Sequence, residues 1–96
     1  MQIRFQSEAE TELAEARLWY SLQREGLDAA LMKRVDQTLS AIVARPHSFP
    51  IVYRNLRRAV LRQFPFAIFY ESTEDEIIVF AVYHSRRDFE RLLSRF

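Results

Sequence analysis

The most chemically loaded stretch of this chain is His84, Ser85, Arg86, Arg87 and Asp88, set at the end of a run, Ile77 to Tyr83, with no polar position. An imidazole titrates near neutrality and suits proton transfer. A guanidinium keeps its charge and offers a planar fork to phosphate or carboxylate. A second basic set comes earlier: Arg54, Arg57, Arg58 and Arg62, with no acid anywhere between Gln37 and Tyr70 to neutralise them. The formal net charge is only +1, so the inference is a one-sided basic face and not a basic protein. Lys33 is the one lysine among 14 bases, which points to fork-shaped recognition.

Other readings of these residues stand beside that one. A histidine at a strand end also serves as a capping or packing residue. Arg86, Arg87, Arg91 and Arg95 also fit a solvated helix face, with Asp88 and Glu90 as partners. Trp19 and Tyr20 read as core. Glu8, Glu10, Glu12 and Glu15 are explained by the start of a helix. The chain has no cysteine, one glycine and two histidines, His47 and His84. Disulfides and thiolate metal sites are therefore excluded, no histidine-based metal site is expected, and no phosphate loop or nucleophile elbow is present. No cofactor is expected.

These residues need a scaffold. AVLRQFPFAIFYESTEDEIIVFAVYH (59–84) reads as two strands of β-branched and aromatic residues around an acidic turn at 72–76. The strand from Ile77 should be covered on both faces and lie inside its sheet. Upstream, Arg54 to Gln63 reads as one strand, with Arg58, Val60, Arg62 and Phe64 on one face and Arg57, Ala59, Leu61 and Gln63 on the other. Burying an unpaired arginine is costly, so the Arg58 and Arg62 face should be the open one. His84 has the parity of Ile78, Phe80 and Val82. The register between strands is not fixed by these patterns, so which arginine His84 meets stays open.

Gln2 to Gln6 alternates as a short edge strand. Ser7 opens a helix as a capping box with Glu10, whose stripe is Ala9, Leu13, Ala16 and Tyr20, widened by Leu18 and Trp19. Gly26 suits the left-handed turn that ends it. A second helix runs from about Asp28 to Ala44 on Met32, Val35, Leu39 and Ile42, and Pro46 stops it. Residues 47–50 form a loop, Pro65 to Glu71 a strand, and Arg86 to Phe96 a terminal helix.

The order β, αα, βββ, α implies an α+β fold, a helical hairpin packed on one face of a small antiparallel sheet. Ninety-six residues make one domain, 1–96, burying roughly 60–65% of its unfolded surface. No apolar run reaches the ~20 residues of a membrane span, and the N-terminus is not a signal peptide, so a cytoplasmic location is expected.

The blocks AETEL (9–13), ARLWY (16–20), GLD (26–28), FPIV (49–52), RRAVLRQFPFAIFY (57–70) and IIVFAVYHSRRD (77–88), in this order, resemble the ParE/RelE superfamily of bacterial type II toxins, also known as plasmid stabilisation proteins. The resemblance implies the same fold and a cognate antitoxin whose disordered tail brings an apolar strip and acids to the arginine face, in a toxin–antitoxin hetero-oligomer. It also implies one of two activities. ParE-like members do no chemistry and poison DNA gyrase; Arg54, Arg57, Arg58, Arg62, Arg86 and Arg87 would then be the contact surface for target and antitoxin. RelE-like members cleave mRNA in the ribosome; His84 would then be the acid or base, with Arg58 and Arg62 on the phosphate. The HSRRD ending, the QFPF segment (63–66), and Ala67 where some nucleases carry arginine favour the ParE branch. An inactive binding module is the third reading.

Overall fold

The computed structural model describes residues 1–84 and 89–96. Among these, the order is β1 (Gln2–Phe5), α1 (Ser7–Gln23), α2 (Leu27–Ala44), β2 (Ile51–Tyr53), β3 (Leu56–Val60), β4 (Phe66–Ser72), β5 (Glu76–His84) and α3 (Phe89–Leu93). The strands form one sheet in the order β1-β5-β4-β3-β2. The meander from β2 to β5 is antiparallel, and β1 joins its far edge parallel to β5. The expected α+β architecture, a helical hairpin on one sheet face, is the one observed, and β5 lies inside the sheet as its unbroken apolar run implies.

The sheet carries a core on each face. On one, Ala9 and Ala16 of α1 and Leu31, Val35 and Ile42 of α2 pack against Ala59, Leu61, Ile68, Tyr70, Ile77, Val79 and Val82. The two buried positions of α1 are alanines, which lets the helix axis come close to β5. On the other face, Leu92 of α3 is fully buried against Leu56, Ala67, Phe69 and Ala81, with Phe80, Phe89 and Phe96 around it. The terminal helix therefore covers the face that the sequence leaves open to solvent, helix or partner.

Local expectations fare unevenly. Gly26 does take the left-handed conformation, at φ 88°, between the helices. A Cβ there would meet nothing within 4 Å, so backbone conformation and not space demands glycine. The capping box does not form: Gln6 is the N-cap without a side-chain bond, and the Ser7 hydroxyl donates to Glu8 instead. Leu18 and Trp19 do not widen the buried stripe; they are 62% and 57% exposed. In α2 the fully buried leucine is Leu31, with Met32 only half-buried. The strand expected over Arg54 to Gln63 is broken at both ends. Arg54, at φ 53°, turns β2 into β3, and Gln63, at φ 74°, turns the chain out of β3 towards β4. The terminal helix expected from Arg86 is seen over Phe89–Leu93; its start at residues 86–88 lies outside the described residues.

Candidate functional site

One extra residue in β5 decides where its end points. Phe69 pairs with Ala81, but the next residue, Tyr70, pairs with Val79, so Phe80 has no partner of its own across the ladder. This is a β-bulge, and it shifts the alternation of side chains by one. Before it, Ile77 and Val79 face the helices; after it, Val82 faces them too, while Phe80 and Ala81 both join the α3 core. His84 pairs with Phe66 and packs its ring against that phenyl, centroids 5.7 Å apart, on the helix side. The shared parity of His84 with Ile78 and Phe80 is therefore corrected: the bulge puts the imidazole on the opposite face from both.

Where β1 stops, the outer edge of β5 is closed by side chains. Gln6 takes the Val79 carbonyl with its backbone N–H. Beyond it, the Val82 N–H donates to Glu12 Oε1 (3.0 Å), and Arg95 donates to the Phe80 carbonyl (2.7 Å) and to Glu12 Oε2 (2.6 Å). Glu12 and Arg95 thus satisfy backbone groups that a longer β1 would have paired, and tie the chain end to α1.

The arginines fall into three environments. Arg58 pairs with Phe69 and so lies on the α3 face, half-buried; its Nε is buried without a hydrogen-bond partner among the described residues. Arg57, on the helix face, turns inward and donates to the carbonyls of His47 (3.2 Å) and Phe49 (2.6 Å). It stitches the 47–50 loop to the sheet, as does the Tyr70 hydroxyl, which donates to the Pro46 carbonyl at 2.6 Å. Burial pushes the Tyr70 phenol above its ordinary pKa, and nearby Arg57 only partly offsets this. Arg54 is exposed at the β2–β3 turn with its guanidinium 5.0 Å over the Tyr53 ring. Arg62 is exposed in the β3–β4 turn, where it has left the strand and its parity with Arg58. Phe64 does not share the arginine face either; it is buried on the helix side, edge-on to Tyr20 at 5.0 Å.

The sequence-derived site residues therefore divide. Arg58 and exposed Val60 share the α3 face of β3, with Arg54 and Arg62 in the turns at its two ends; Ile51, paired with Arg57, faces the helix side. His84 sits across the sheet, and Arg58 and His84 are on opposite faces. Arg86 and Arg87 lie outside the described residues. Val60 was read with Arg58 on the face expected to be open, and it is exposed there; the exposed Ile51 was not singled out beforehand. Among the described residues no group of acids and histidines could hold a metal ion, and no helix is long and apolar enough to cross a membrane.

A family model described as the ParE toxin of the type II toxin–antitoxin system parDE matches residues 3–89. A solved chain of the chromosomal ParDE toxin–antitoxin system from P. aeruginosa aligns with a TM-score of 0.73 at 15% identity, over 88% of this chain and 95% of that one. The isolated E. coli RelE toxin aligns with a TM-score of 0.59 at 14% identity, over 98% and 96%. Both likenesses are of fold. No curated protein sequence matches the chain.

Proposed function

The chain belongs to the ParE toxin family of type II toxin–antitoxin systems, and from that premise we propose that it acts by contact on DNA gyrase, with no chemistry of its own, and is neutralised by a cognate antitoxin. The observation that carries this reading is the separation of His84 from Arg58 by the thickness of the sheet. Ribosome-dependent RNA cleavage needs a proton-transferring group and a cation on the same phosphate. Here the imidazole packs on Phe66 beneath α1, while the guanidinium of Arg58 lies on the α3 side. What remains is a contact surface: Arg58 beside exposed Val60 on the α3 face, with Arg54 and Arg62 in the turns on either side of β3.

The same surface suits the antitoxin. An acidic, partly apolar tail folding onto it would bring carboxylates to the three arginines and cover Val60. A buried donor without an acceptor costs about 1–3 kcal/mol. The Arg58 Nε would regain that on meeting a carboxylate.

Expression in cells without the antitoxin, and the purified chain in a gyrase supercoiling assay, test the reading together. Double-strand breaks, an SOS response and loss of supercoiling are expected. Halted translation with intact DNA would instead return the nuclease reading, which His84→Gln would then probe through reporter mRNA ends. Unimpaired growth would leave only an inactive binding module.

A further inference from the structure

Beneath α1, on the helix side of the sheet, an open groove of about 520 Å³ runs between the helix, the start of β4 and the end of β5. Its wall is a relay of rings. Trp19 stands edge-on to Tyr20 (5.0 Å), Tyr20 edge-on to Phe66 (6.2 Å), and Phe66 edge-on to His84 (5.7 Å). Trp19 is 57% exposed, an unusual state for a tryptophan already engaged with a neighbour.

The groove also carries two carboxylates in different states. Glu12 is neutralised by Arg95 and saturated by the Val82 N–H. Glu15 is exposed and has no hydrogen-bond or ion-pair partner among the described residues. It sits one helical turn before Trp19, so the free charge and the indole share one face of α1. From the mouth of the groove, Leu18 and Leu22, 62% and 75% exposed, continue the apolar surface along α1.

Ring faces carry negative charge density, and a carboxylate beside them adds to it. Planar guanidinium stacks on such rings while its N–H groups reach the carboxylate, which an ammonium does less well. We propose that this groove is a receptor for an arginine side chain, presented by a protein segment whose neighbouring apolar residues cover Leu18 and Leu22. A lone small cation would leave those leucines exposed, which argues for a segment. The charge preference is opposite to that of the β2–β3 flank, so the two surfaces take different parts of a partner or different partners. The inference is independent of the gyrase reading, and its test uses neither gyrase nor antitoxin.

Trp19 is the one tryptophan of the chain, so its emission reports the groove directly. The folded protein is titrated with N-acetyl-arginine amide and, separately, with the neutral isostere N-acetyl-citrulline amide. A saturable change in Trp19 emission is expected with the arginine compound at millimolar concentrations, up to about 100 mM, and none with the citrulline compound. Glu15→Gln, at an exposed position that leaves the fold intact, should raise the half-saturation concentration about three- to fivefold. Equal responses to both compounds, no saturable response, or an unchanged midpoint in Glu15→Gln would each overturn the proposal.

Discussion

Strands β3 and β5 both lead into titratable side chains, yet they deliver them to opposite surfaces of unlike character. The β2–β3 flank shows Arg54, Arg58 and Arg62 near exposed Val60, and among the described residues no carboxylate is ion-paired to any of the three. The groove under α1 shows aromatic rings and one free carboxylate. The first is basic; the second is aromatic and carries acid. The difference teaches that the working groups of this toxin fold are not one constellation split by chance. They form two surfaces of unlike character, and a single inserted residue in β5 places His84 on the second.

The largest expected effect comes from removing the basic character of the flank. The double substitution Arg58→Gln with Arg62→Glu should weaken gyrase inhibition by at least about 30-fold, the scale of one interface hot spot. Lys33→Glu, a charge reversal on the exposed side of α2, should change it less than about twofold. A similar loss from both in the supercoiling assay would mean that overall charge, and not this flank, does the work.

Next comes stability, where the covered face and the open groove should part company. Leu92→Ala removes the fully buried anchor of α3 and should cost about 2–5 kcal/mol. Trp19→Ala removes a larger but mostly exposed side chain and should cost under about 1 kcal/mol. Urea midpoints measure both. A costly Trp19→Ala would show that the indole belongs to the core.

The smallest effect concerns pH. The Tyr70 phenol is raised by burial, so folding holds its proton more tightly than the unfolded chain does. Stability is then intact below the ordinary phenol value of 10.0 and falls as pH rises through the folded value. Tyr20, raised by the same cause, adds to the loss. Tyr70→Phe should lose about 1 kcal/mol at neutral pH with the bond to Pro46 and should flatten the alkaline fall. Thermal melts between pH 8 and about 11 check this. An unchanged alkaline slope in the variant would remove Tyr70 as the cause.

Much of the scaffold is legible from residue pattern. Gly26 marks the left-handed turn, Pro46 follows the end of α2, and the acidic 72–76 stretch turns β4 into β5, because each depends on backbone preferences acting over a few residues. The exposure of Trp19 is not legible, since a tryptophan beside the buried stripe of α1 reads as core; in the fold its indole lines the groove under the helix. Ser7 fails as a cap because the helix begins one residue earlier than its hydroxyl requires, at Ser7 itself with Gln6 as the N-cap. Arg57 and Arg58 look alike in sequence. One anchors a loop and the other fronts the flank only because adjacent residues of a strand point to opposite faces.

By itself, the amino-acid order determined the order of elements, the buried status of β5, the acid-free basic segment and the family. Tertiary structure decided which groups meet. The run from Ile77 to Tyr83 is apolar at every position, so nothing in it marks which residue belongs to which face. A bulge at Phe80 therefore leaves no trace in the pattern. Only the pairing with β4, and the packing of Phe80 and Ala81 together against the α3 core, turns the histidine away from Arg58.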